Sequence, residues 1–149
     1  MRVKSRLIGA SSVVFLLAAC ASSGGRPSGA IEDAYGALSA ESAIGQFLDA
    51  ANRQDYQLMS HLFGTRDGPA VDRLGRVEVE QRMFVLAALL KHESYSMHPA
   101  SVSEGEGRRR LAVDMVGTRN GDVTVPFIAA VDGGRWFVEQ IETKALGGG

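Results

Sequence analysis

Few side chains in this 149-residue chain are of the types that carry out chemistry, and their spacing restricts what they can do. Asp114 is the best candidate for a catalytic group. It is a carboxylate set in mid-strand among Leu111, Val113, Met115 and Val116, where burial would raise its pKa and suit it to act as a general base. Against that stands a solvent-facing or arginine-paired aspartate, with Arg110 four residues back in the same strand. His61, His92 and His98 include no pair four apart on a helix and no His-x-His, so no metal ligand set is expected. Arg108-Arg109-Arg110 could grip an anionic ligand or lipid headgroup, but the usual explanation of such a run is a solvated strand end, here facing Glu104 and Glu106. Serine-nucleophile motifs, P-loops and Gly-x-Gly-x-x-Gly runs are absent, and no cofactor is implied. Cys20 is the sole cysteine, so no disulfide can form within one chain.

The surroundings of Cys20 say how that thiol is used. Arg2, Lys4 and Arg6 precede an apolar run from Leu7 to Ala18, and small residues lead into Cys20. This is the order of a secretory signal. The run is about half of the ~20 residues a bilayer-spanning helix needs. Leu17-Ala18-Ala19-Cys20 resembles the bacterial lipobox. That resemblance implies cleavage after Ala19 and a diacylglyceryl group on the Cys20 sulfur, holding the chain to the bilayer. The alternative is an ordinary secretory signal cut near Ala19-Cys20-Ala21. Each buried methylene contributes about 0.8 kcal/mol, so two or three acyl chains anchor effectively permanently. Ala21, rather than aspartate, follows the cysteine, which in a two-membrane source implies the periplasmic face of the outer membrane.

Of the 149 residues, loss of the first 19 leaves 130, one domain by length. Three basic residues leave with the leader, so 13 Lys and Arg face 17 Asp and Glu. That mild acidity excludes general nucleic-acid binding and polybasic attraction to anionic lipid.

Residues 20–40 read as a lipidated terminus and a Gly/Ser-rich linker, with at most a loose turn through Ile31, Tyr35 and Leu38. Residues 41–143 read as the folded domain, and 144–149 as a disordered tail. Ser39 suits an N-cap, and Ile44, Phe47, Leu48 and Ala51 follow at helical spacing. Asp55 can cap a second helix with Leu58, Met59, Leu62 and Phe63 inside and Gly64 as its left-handed stop. Residues 64–76 read as one long turn-rich connection. A helix then runs from Val77 to about His92, with Val79, Met83, Leu86 and Leu90 as its stripe. Phe84, Val85 and Leu89 widen that arc, which predicts a helix covered on most sides.

Tyr95, Met97 and Val102 suggest an irregular strand broken near Pro99, followed by a turn at residues 104–107. Leu111–Val116, Val123–Val131 and Trp136–Ile141 read as antiparallel strands, with Pro126 implying a bulge or an edge. If Asn120-Gly121 and Gly133-Gly134 are both two-residue loops, Ala112, Asp114, Val116, Val125, Phe127 and Ala129 share one face. Leu111, Val113, Met115, Ile128, Ala130 and Phe137 then share the other. Both faces come out largely apolar. The helices would cover one, and the other would be covered by loops, or left as an open sheet face for a second copy or an envelope protein partner.

Gln46-Phe47-Leu48-Asp49-Ala50 with Asp55-Tyr56, and Asp132-Gly133-Gly134-Arg135-Trp136 before the last strand, resemble the nuclear-transport-factor-2-like, or cystatin-like cone, superfamily over residues 40–142. The resemblance implies an α+β fold, with N-terminal helices packed on a curved antiparallel meander. It implies no particular chemistry, because that architecture hosts isomerases, cyclases and non-catalytic binders. The leading expectation is a lipid-anchored envelope domain that binds a small ligand or a protein and is not an enzyme. Its rival is an isomerase- or cyclase-like enzyme using Asp114 with Tyr56 or Tyr95 in a cone pocket.

Overall fold

The structure is a computed structural model that describes residues 35–100 and 104–147. The leader, Cys20, the linker before Tyr35 (with Ile31) and Val102 lie outside the described residues.

Helices come first and an antiparallel meander follows, the α+β arrangement expected. Helix α1 (Ala40–Arg53) starts where Ser39 accepts a hydrogen bond from the Ser42 amide. Its inner side buries Ala43, Ile44, Phe47, Leu48 and Ala51, none more than 2% exposed. Gln54 ends it in the left-handed conformation, φ 59°, with the amides of Gln54 and Asp55 reaching back to carbonyls of the last turn. Asp55 then caps α2 (Tyr56–Leu62) by accepting from the Leu58 amide. Gly64 is not the stop of that helix: α2 leaves through an extended Phe63, and Gly64 enters a strand. Gly64 serves close packing instead, since a Cβ there would sit 2.7 Å from the Gly68 carbonyl oxygen and 2.9 Å from the Phe137 ring.

Residues 64–76 are not a structureless connection. β1 (Gly64–Thr65) pairs with β2 (Gly68–Pro69), and α3 (Ala70–Leu74) follows. Helix α4 (Arg76–Leu89) buries Val79, Met83 and Ala87, and packs on α1, α2 and α3.

Four strands make the meander in the order β3 (Ser94–Pro99), β4 (Arg108–Thr118), β5 (Gly121–Asp132), β6 (Arg135–Ile141). The β4–β5 hairpin turns at Arg119-Asn120, one residue before the expected loop. Thr118 pairs with Gly121 and Gly121 has φ 84°. The primed turn expected of Asn-Gly needs positive φ at both central residues, and neither Arg119 nor Asn120 has it. Gly121 is left-handed as the bulge residue after an ordinary turn. A register shift between Met115 and Thr118 accompanies it.

This offset reassigns the faces. Leu111 pairs with Phe127, Val113 with Val125 and Met115 with Val123, so all six point at the helices with Tyr95, Met97, Ala129 and Val138. The opposite face is not apolar throughout. It carries Ser94, Ser96, His98, Asp114 and Thr124 over β3–β5, while Ile128, Ala130 and Phe137 are buried nearer the β1–β2 hairpin. An open greasy sheet face is therefore not what a partner would meet. A second shift lies between Ile128 and Ala129 opposite β6.

Pro126 makes neither a bulge nor an edge; it pairs with Ala112 in a central strand. A strand residue's N–H and C=O point the same way, and the Pro126 carbonyl accepts from the Glu142 amide just beyond β6. The missing donor thus faces a place where the ladder has ended.

Both boundaries of the folded unit extend past those expected. Ala37, buried, exchanges two backbone bonds of 2.8 Å with Trp136, and Phe63 bridges Val138, so the β6 edge is covered. The supposed tail forms a 3-10 turn (Thr143–Ala145), and Leu146 is 5% exposed in the core.

Candidate functional site

Asp114 does not sit in a pocket between helices and sheet. It lies on the opposite face, 47% exposed, with His98 Nε2 at 3.1 Å from Oδ2 and the Thr124 hydroxyl donating to Oδ1 at 2.6 Å. Arg110 is not its partner. The buried setting expected of a general base is absent, so the enzyme reading built on Asp114 loses its physical basis. Ser96 Oγ approaches His98 Nε2 at 3.4 Å, which brings a serine, a histidine and an aspartate together. A relay needs the aspartate on one ring nitrogen and the hydroxyl on the other. Here both meet Nε2, so the histidine cannot be oriented by one and accept from the other.

A second polar cluster joins residues that the sequence did not connect. Asn52 at the end of α1 donates to the His92 carbonyl (3.0 Å), accepts from the His92 amide (3.2 Å) and lies 3.2 Å from His92 Nε2. His92 Nδ1 meets the Leu90 carbonyl at 2.7 Å. Only a protonated nitrogen can bond a carbonyl, which assigns the proton to Nδ1 and leaves Nε2 to accept from Asn52. His92 thus bonds a carbonyl at the end of α4, whereas His61 stacks with Tyr35 at 4.6 Å. Both ring nitrogens of His92 are engaged, and its ring packs edge-on against Tyr95 at 5.3 Å. This is a clamp between α1 and β3, with neither ring nitrogen left for substrate.

The Tyr95 hydroxyl meets the Gly45 carbonyl and Asp49, each at 3.4 Å. Burial first, and the Asp49 charge second, push its pKa above the ordinary tyrosine value. A folded-state pKa raised above the unfolded one stabilises the fold below the unfolded value and loses that contribution as pH rises through the folded value. Alkaline titration of tyrosinate absorbance should therefore contain a late step that Tyr95→Phe removes. Asp49→Asn should bring that step earlier without returning it to the ordinary value, because burial remains.

The arginine run is neutralised from within. Arg108 forks onto Glu139 at 2.6 and 2.8 Å, Arg109 meets Glu41 at 2.8 Å, and Arg110 lies between Glu104 and Glu142, the latter at 2.7 Å. The hydrogen bonds to Glu139 and Glu104 respectively raise the pKa of Arg108 and Arg110 further. Glu41 is held below its usual range, mainly by a backbone hydrogen bond at the start of α1 and also by Arg109. No guanidinium of the run faces an open anion site. Of the two expected acidic partners Glu104 serves and Glu106 does not. Among the described residues no three His, Cys, Asp or Glu side chains gather as a metal site, and no helix is long and apolar enough to cross a membrane.

Among the described residues the exposed large apolar side chains are Leu38, Val116 and three that gather on the outer side of α4. The expectation that something covers this helix on most sides fails within the chain: Val77 is 70% exposed, Phe84 61% and Val85 56%. Val77, Gln81, Phe84 and Ala88 follow one another at intervals of four, three and four, a single seam along the helix. Phe84 is steadied by the Tyr56 ring, centroids 5.7 Å apart. Beside the seam runs an open, mostly apolar groove of about 500 Å³ between Phe63 and the Glu78, Gln81, Arg82, Val85 and Leu86 side of α4. Arg82 and Glu78 pair at 2.7 Å on its rim. The residues were visible in the sequence as the widened arc; what it lacked was any sign that no other element reaches them. A smaller depression of about 320 Å³ lies at the far end of α4, among Ala88, Leu89, Arg119, Asn120 and Leu146.

No family model matches the chain, and no curated protein matches it. Among solved structures, a designed chain whose title carries the name NTF2 aligns with 19% identity, a TM-score of 0.45, and coverage of 68% of this chain and 93% of that one.

Proposed function

We propose that this chain is a lipid-anchored envelope protein whose folded domain is a non-catalytic binding module, and that its binding surface is the α4 seam and groove. The observation that carries the reading is the bare Val77, Phe84 and Val85 on a helix whose other side is fully packed. Large apolar side chains clustered in the open mark interaction sites more often than idle surface. The four-three-four spacing is that of a helix meeting another helix, so the occupant is an amphipathic helix of a protein partner laid along the groove. The lipobox resemblance at Leu17-Ala18-Ala19-Cys20 supports the anchor. Export with a lipid on Cys20 would present the groove to partners at the membrane face.

The two halves of the reading are tested side by side. Cys20→Ser is expected to move the protein from the membrane fraction to the soluble one, leaving the domain folded. Val85→Glu is expected to leave it in the membrane fraction but shift its detergent extract from a complex to the size of one chain. Membrane retention by Cys20→Ser would remove the anchor, and an unchanged complex with Val85→Glu would remove the groove.

A further inference from the structure

The tip of the β4–β5 hairpin holds a latch made of a chemically labile group. The Asn120 side-chain amide donates to the Leu146 carbonyl at 2.7 Å. Leu146 is the buried residue of the C-terminal turn, and the amides of Leu146 and Gly147 both bond the Thr143 carbonyl. The other end of this segment is held by Arg110 on Glu142. Asn120 therefore ties down the last turn of the chain, and it is followed by Gly121.

We propose that Asn120 is a deamidation site whose conversion releases the C-terminal turn. The Gly121 backbone nitrogen gives up its proton to solvent and attacks the Asn120 side-chain carbonyl carbon. The bond to the side-chain nitrogen breaks, ammonia leaves, and a succinimide ring remains. Water opens the ring at one carbonyl or the other, giving aspartate or isoaspartate; no other reactant is needed. A residue with a Cβ after the asparagine would crowd that ring closure. At Gly121 there is none, and the space where it would lie is empty to 4 Å. Both residues are exposed. Gly121 pairs with Thr118, so its amide must leave the ladder before it attacks, and hairpin tips are among the first places to open. The change is accordingly slow and cumulative.

Either product disables the latch. Aspartate replaces the donor with an oxygen facing the Leu146 carbonyl oxygen. Isoaspartate also lengthens the backbone inside the turn and breaks the Thr118–Gly121 register. Freed of this bond, the turn withdraws Leu146 and enlarges the depression it shares with Ala88, Leu89 and Arg119.

The test uses the full chain aged in mildly alkaline buffer, beside fresh Asn120→Asp and Asn120→Gln variants. The chain has only two asparagines, so peptide mass analysis resolves it; Asn52, followed by the bulky Arg53, is the internal control. Aspartate and isoaspartate are expected to accumulate at 120 and not at 52, while Asn120→Gln resists. Hydrogen exchange at the Leu146 and Gly147 amides is expected to quicken about fivefold to tenfold in the aged protein and in Asn120→Asp, the loss of one net hydrogen bond. An Asn120 that stays intact, or ages no faster than Asn52, overturns the site. Unchanged exchange in Asn120→Asp overturns the latch.

Discussion

Phe127→Ala should lower the free energy of unfolding by about 3–5 kcal/mol. Phe127 is completely buried at the centre of β5, paired with Leu111 on one side and Ile141 on the other. It faces the layer where α1 contributes Ile44, Phe47 and Leu48, all fully buried. Truncation loses the transfer energy of the ring and leaves a hole lined by rigid neighbours on two strands, which cannot collapse into it. A domain of this size commands only ~5–15 kcal/mol in total, so the variant should be marginal at ambient temperature. Urea denaturation measures it: the midpoint falls with an unchanged slope. Phe84→Ala is the control of the same chemistry at an exposed site and should change stability by no more than about 0.5 kcal/mol. Equal losses from the two would mean that α4 is covered after all.

Asn52→Ala should cost about 2 kcal/mol, far more than an ordinary exposed polar residue. Its amide satisfies the carbonyl, the amide and one ring nitrogen of His92, a residue 7% exposed. Removing it leaves those groups without partners where water reaches them poorly, and an unsatisfied buried group costs more than the bond that served it gained. The same change should loosen the hold of α1 on β3, because Tyr95 leans on the His92 ring. Denaturation gives the stability, and exchange of the His92 amide gives the loosening. Loss of less than about 0.5 kcal/mol with unchanged exchange would show that the clamp is ornamental.

What the sequence could show depended on how local each determinant was. The caps at Ser39 and Asp55 were legible because each is one side chain acting on an amide three residues on. The Gly133-Gly134 loop was legible because Asp132 and Arg135 close it directly. The Arg119-Asn120 turn was missed by one residue because Asn-Gly serves two hairpin geometries, both with a left-handed glycine. The displaced turn alone keeps the same residues facing each other; it is the bulge between Met115 and Thr118 that shifts the register by one more residue and inverts every side chain of one strand relative to its neighbour. Without that bulge a sheet with one polar-bearing face looked apolar on both, and Asp114 was placed in company it does not keep. The β1–β2 hairpin escaped notice because Gly64, Gly68 and Pro69 carry no strand signal; contact with Phe137 and β6 stabilises it. The Asn52–His92 clamp spans 40 residues of sequence and has no local signature. The α4 arc was legible as apolar, yet periodicity cannot say whether a neighbour lies above it.

The binding account stands or falls on what touches α4. A photo-crosslinking side chain placed at Val85 of the full-length protein should give an adduct of one discrete mass, that of this chain plus a distinct partner and not that of two copies of this chain. The same group at Arg53, exposed at the other end of α1, should give none. An adduct at both positions, at neither, or only between copies of this chain would contradict the account.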